Sequence, residues 1–89
     1  MPTVVFAPAI QRHVFIEPQS VVADSVRSAL LETFAIEPRL RDYVLEDQGQ
    51  LRKHVLIFVD GQQISDRETL SDTVTAGSEI YVVQALSGG

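Results

Sequence analysis

The chain contains no cysteine, no tryptophan and a single lysine, Lys53. The absence of cysteine excludes a disulfide framework, a Cys-x-x-Cys redox motif, a thiolate metal site and a cysteine nucleophile together. Positive charge is scarce: seven Lys and Arg stand against twelve Asp and Glu, for a formal charge of −5. A phosphate backbone would be repelled on average and no basic run offsets this, so no nucleic acid is expected as a partner. An acidic surface suits solubility and a partner with a basic face. The longest apolar run, Val55 to Val59, is far too short to span a bilayer, so no membrane association is expected. Met1-Pro2-Thr3-Val4-Val5 lacks the basic segment and long apolar core of a secretory signal, and a cytoplasmic location is expected. The two histidines, His13 and His54, lie far apart with no carboxylate at a ligand spacing, which gives no metal site. No Gly-rich phosphate loop is present, so the chain itself is expected to bind no cofactor.

What is present is enough for one small core. The chain has 89 residues, 45% of them hydrophobic. A domain of this length buries roughly 60–65% of its unfolded surface, which leaves no room for a deep active site. Thr3 to Ala7 reads as a strand stopped by Pro8, and His13 to Glu17 as a second strand stopped by Pro18, the two forming a hairpin. Val22, Val26, Ala29, Leu30 and Phe34 recur at helical spacing, with Asp24, Arg27, Ser28 and Glu32 on the other side. Ser20 is the expected N-cap, with Asp24 near the positive end of the helix dipole. Pro38 stops the helix, and Leu40, Tyr43, Val44 and Leu45 suggest one irregular helical turn.

Val55-Leu56-Ile57-Phe58-Val59 is the strongest strand signal, and Asp60-Gly61 predicts a type I′ hairpin turn into Gln62-Gln63-Ile64. Leu70 and Val74 are one helical turn apart. Gly77 breaks the chain before a last strand, Glu79 to Gln84. The order ββαββ, turn, β predicts an α+β fold of the β-grasp (ubiquitin-like) type. Its mixed four- to five-stranded sheet would carry one main helix packed across one face. Residues 1–84 would form this domain and residues 85–89 a flexible tail, in which two glycines fit a slot too narrow for side chains.

Several segments resemble the MoaD/ThiS family of ubiquitin-like sulfur carriers. They are Val5-Phe6-Ala7-Pro8, Val55 to Gly61, Thr69-Leu70-Ser71-Asp72-Thr73-Val74 with Ala76-Gly77-Ser78-Glu79-Ile80, and Ala85-Leu86-Ser87-Gly88-Gly89. Val21 departs from the pattern, standing where the family often has a capping Thr. The resemblance implies a non-enzyme: a carrier or co-substrate, or the non-catalytic small subunit of a molybdopterin synthase-like enzyme. Its working group would be the Gly89 carboxylate, with Gly88 beside it. A ubiquitin-activating-type adenylyltransferase would adenylate that carboxylate with ATP and magnesium, and a persulfide sulfur donor would convert it to a thiocarboxylate. A synthase large subunit or other acceptor enzyme would then take the sulfur. The family splits by destination (molybdopterin, thiamin thiazole, cysteine, thiolated tRNA), and the segment from Pro38 to Lys53 looks more like the molybdopterin-type branch, which also includes carriers dedicated to cysteine formation. A free terminal carboxyl has a pKa of about 3.5 and is a poor electrophile when ionised, so activation by a partner is chemically required.

Strand parity gives an expected docking face. With Ile80 and Val82 towards the helix, Tyr81 and Val83 face outward. With Val5 inward, Phe6 would join them, next to Leu86 and Ser87 of the tail. Two other functions share these features: a protein modifier joining Gly89 to a lysine amine, and an interaction module with an idle tail.

Overall fold

The computed structural model describes residues 1–85. Strand β1 (Thr3–Phe6) leads into a short helix α1 (Pro8–Gln11), then β2 (Gln19–Ser20) and the main helix α2 (Val26–Ile36). A 3₁₀ turn (Pro38–Leu40) and helix α3 (Arg41–Val44) precede β3 (Val55–Val59), β4 (Gln62–Gln63) and β5 (Glu79–Gln84). The strands form one sheet in the order β2-β1-β5-β3-β4. The central pair, β1 and β5, is parallel, and every other neighbour is antiparallel. The last strand therefore lies in the middle of the sheet.

The core is the sheet face under α2. Val4, Phe6, Val55, Ile57, Ile80 and Val82 point to it from the strands. Val26, Ala29, Leu30 and Phe34 answer from α2, with Leu40 and Val44 closing one end. Thr33, the buried polar residue of α2, donates its hydroxyl to the Ala29 carbonyl at 3.0 Å, so its burial leaves no orphan.

Strands β3 and β5 run over the residues that the sequence indicates. The Asp60-Gly61 turn is also as expected, with φ of 50° and 86° at its two positions. Asp60 fastens it: its N–H donates to the Glu79 carbonyl, and its carboxylate accepts the Glu79 N–H at 2.9 Å.

Three expectations are corrected. His13 to Glu17 is not a strand. Pro8, whose fixed φ suits a first helical position, starts α1 instead. Val14 and Ile16 are buried and His13, Phe15 and Glu17 exposed, so the alternation is real. It arises in a loop lying on the core, and β1 pairs only with Gln19 and Ser20.

The helix begins later than the apolar stripe suggests. Val22 is exposed and Ser20 belongs to β2, while Ser25 is the cap. Its hydroxyl accepts the Ser28 N–H at 3.1 Å, and the Ser28 hydroxyl accepts the Ser25 N–H at 3.2 Å. Asp24 thus precedes the cap instead of lying in the first turn.

Leu70 and Val74 are both buried, but no helix joins them. The Asp66 carboxylate takes the N–H groups of Glu68, Thr69 and Ser71 and the hydroxyls of Thr69 and Ser71, which competes with helix formation. Leu70 turns into the left-handed region with φ of 58°, and its carbonyl accepts the Arg27 N–H at 2.9 Å.

Candidate functional site

The end of β5 is fixed by hydrogen bonds on both sides. The Ala7 N–H donates to the Val82 carbonyl at 2.9 Å, and the Ala85 N–H donates to the His54 carbonyl at 2.7 Å. The chain therefore leaves the sheet from its centre, between the end of β1 and the start of β3. Leu86, Ser87, Gly88 and Gly89, the expected tail residues, lie outside the described residues.

The sheet face opposite α2 is apolar beside this exit. Across three strands Val5 pairs with Tyr81, and Tyr81 with Phe58. In the next row Val83 pairs with Leu56. All five are half-buried, packed on each other with their outer surfaces open. Tyr81 and Val83 lie where strand parity puts them.

Phe6 does not. It pairs with Val82 and is 2% exposed, in the core. The parallel register of β1 on β5 fixes this: Val4 meets Ile80 and Phe6 meets Val82, so Val5 takes the outer position. Val5, Leu56 and Phe58 are the face residues that the sequence reading missed. For Leu56 and Phe58 a signal existed, since an inward Ile57 forces both outward.

Among the described residues the titratable groups offer no catalytic constellation. Among the described residues Asp66 is the one carboxyl held far below its ordinary range, because the Ser71 hydroxyl and then the Thr69 hydroxyl donate to its charged form. Its partners all belong to its own turn, which makes it a turn clamp. Among the described residues no group of three or more His, Asp or Glu is placed to hold a metal. No helix among them is long and apolar enough to cross a membrane.

This sheet order, with one long helix across one face and the first and last described strands paired in parallel at the centre, decides the architecture. The fold is the ubiquitin-like β-grasp. SAMP1 from Haloferax volcanii, a small archaeal modifier protein, matches with TM-score 0.78 at 22% identity, over 99% of this chain and 98% of that one. A chain of the Amycolatopsis orientalis BexX/CysO complex matches with TM-score 0.84 at 14% identity, over 100% of both. CysO from Mycobacterium tuberculosis, described as an antigen, matches with TM-score 0.81 at 16% identity, over 97% of this chain and 100% of that one. No family model and no curated protein matches the sequence. The β-grasp fold that the sequence resemblance implies is the fold these structures share with this chain.

Proposed function

We propose that the chain is a carrier whose Gly89 carboxylate is activated by a partner enzyme and then transferred to sulfur. The observation that carries this reading is positional. Leu86-Ser87-Gly88-Gly89 follows directly on a central strand of a β-grasp sheet whose last described residue, Ala85, is pinned at 2.7 Å to His54. A rigid base followed by two residues without side chains suits insertion of the terminus into another protein's slot. The likeness to SAMP1 and CysO supports the same reading.

The chemistry runs in two steps on the terminal carbon. The Gly89 carboxylate attacks the α-phosphorus of ATP, pyrophosphate leaves, and an acyl-adenylate forms. Joining AMP removes the negative charge and supplies a leaving group. The terminal sulfur of a donor persulfide then attacks the acyl carbon and AMP leaves with the bonding pair. A thiol cleaves the remaining S–S bond, which leaves the thiocarboxylate. ATP, magnesium and the phosphate clamp belong to the adenylyltransferase, and the persulfide to the donor enzyme. The chain supplies the carbon and a docking face: Val5, Leu56, Phe58, Tyr81 and Val83, with Leu86 and Ser87 leading into the slot. It is a recharged co-substrate, and an acceptor enzyme takes the sulfur. Molybdopterin-type transfer is the proposed destination, resting on the long segment from Pro38 to Lys53.

The likeness to SAMP1, a small archaeal modifier protein, favours a second reading, in which the activated Gly89 carbon is attacked by a lysine amine of another protein. ATP–pyrophosphate exchange with a carrier-activating adenylyltransferase tests the shared first step. Full-length protein should support exchange, while Gly89 deletion and Gly88→Val should abolish it with the fold intact. Exchange by either variant at the full rate would overturn the proposal. Thiocarboxylate formation supports the carrier, and gel-shifted conjugates lost on deleting Gly89 support the modifier.

A further inference from the structure

We infer that Arg67 is a positioning residue for the terminus: it holds the turn whose carbonyl pins Ala85, so that the chain enters a partner's slot from a fixed base. The inference rests on the activated-tail reading and names the side chain that gives that reading its rigid base. The turn runs from Arg52 to Val55 and is closed by the Val55 N–H on the Arg52 carbonyl at 3.0 Å. Its central residues, Lys53 and His54, are both exposed. The His54 carbonyl accepts the Ala85 N–H. A turn with no core side chain at its centre opens easily unless something else holds it.

Arg67 grips three consecutive residues leading into it. Its own carbonyl accepts the Leu51 N–H at 2.9 Å. Its Nη2 donates to the Arg52 carbonyl at 2.9 Å and, more weakly, to the Lys53 carbonyl at 3.5 Å. Among the described residues Arg67 makes no ion pair, so its guanidinium is committed to these carbonyl oxygens. Helix α3 braces the other side, where the Val44 carbonyl accepts the Arg52 N–H at 3.0 Å and the Asp42 carbonyl accepts Arg52 Nε. The backbone around Arg67 is itself fixed. The Asp72 carboxylate takes the Ser65 and Asp66 N–H groups, and the Asp66 carboxylate takes those of Glu68, Thr69 and Ser71. The contacts thus run without a break from the Asp66 turn through Arg67 to the carbonyl under Ala85.

A guanidinium donor makes these bonds charge-assisted and stronger than neutral ones. Without it the Lys53 carbonyl loses its side-chain donor, and His54, between Lys53 and Val55, is held only from the β3 side. The Ala85 bond then opens more often. Each opening adds one residue whose backbone must be ordered again when the terminus enters a slot, which weakens binding by roughly five- to thirtyfold. The loss falls on association with the partner and not on the chemistry at the terminal carbon, so it belongs to KM.

Two measurements test this, one of them free of the carrier chemistry. Amide exchange is followed by NMR on ¹⁵N-labelled full-length protein. In Arg67→Met the Ala85 N–H should exchange roughly tenfold faster than in wild type. The Asp60 N–H, bonded to the Glu79 carbonyl at 2.9 Å at the opposite end of the same strand pair, should keep its rate. Ser25→Ala, a destabilised control outside these contacts, should leave the ratio of the two rates unchanged. Arg67→Lys, which returns a cationic donor, should restore much of the protection. Arg67→Gln, too short to reach either carbonyl, should behave as Arg67→Met and replaces it if that variant does not fold. The second measurement is charging by an adenylyltransferase, where Arg67→Met should raise KM roughly tenfold with kcat little changed. Wild-type exchange at Ala85 in a folded Arg67→Met protein would overturn the inference even if KM rose, since Arg67 would then touch the partner itself. Unchanged KM, with wild type charged, would overturn it as well. Faster Ala85 exchange in the variant, with wild type left uncharged, would sink the activated-tail reading and leave Arg67 as the residue that holds Ala85.

Discussion

Replacing Phe6 and Val5 by alanine, one at a time, separates the core face of β1 from its docking face. Phe6 is 2% exposed and packs among Val82, Val4 and the α2 side chains, so Phe6→Ala leaves a cavity as well as losing buried area. Such a truncation costs about 3–5 kcal/mol. The whole stability of an 89-residue domain is of order 4–13 kcal/mol. Each kcal/mol shifts Tm by about 4–8 °C at this size, so Phe6→Ala should lower Tm by at least about 12 °C. Val5 is half-buried on the open face, and its truncation should cost no more than about 1 kcal/mol. Thermal melts followed by far-UV circular dichroism read both. A Val5→Ala loss equal to or larger than that of Phe6→Ala would refute the register of β1 on β5, and with it the composition of the docking face.

Ser25→Ala should cost about 1 kcal/mol in urea unfolding, whereas Ser20→Ala should be near neutral; the reverse order would place the cap where the sequence alone suggests it. Leu56→Arg, on the outer face, should raise KM for activation by roughly tenfold while leaving Tm within a few degrees, and an unchanged KM would remove this row from the interface. Asp66 has a depressed carboxyl pKa in the fold, so its contribution is complete above the ordinary aspartate value of about 3.9 and is lost as pH falls towards the folded value. Asp66→Asn should therefore lower Tm at neutral pH and flatten the decline of Tm in acid. An acid limb of unchanged slope would show that the Thr69 and Ser71 hydroxyls do not favour the charged form.

Much of this architecture can be read in the sequence because the strongest elements depend on local chemistry. Val55–Val59 followed by Asp60-Gly61 is a strand and a turn whose two positive φ values only a few dipeptides, Asp-Gly among them, readily adopt. Glu79–Gln84 is similarly unambiguous, and these two strands with α2 suffice to suggest the fold. The readings that failed depended on partners distant in sequence. Thr3 to Phe6 is followed by Ala7, so Val4, Val5, Phe6 and Ala7 are all apolar and no alternation marks the inner side. Only pairing with β5 decides it. The alternation from His13 to Glu17 reflects burial against the core without a neighbouring strand, a distinction that period alone cannot make. At the helix start, Val22 fits the stripe, yet Ser25 and Ser28 satisfy each other's N–H groups and fix the boundary one turn later.

The central claim is that the Gly89 carbon takes sulfur. Intact-mass spectrometry after incubation with ATP, magnesium, an adenylyltransferase and a persulfide donor tests it directly. The account predicts a mass gain equal to one oxygen exchanged for one sulfur, localised to Gly89 by fragmentation. An unmodified mass, with an established carrier charged in the same tube by the same enzymes, would contradict it.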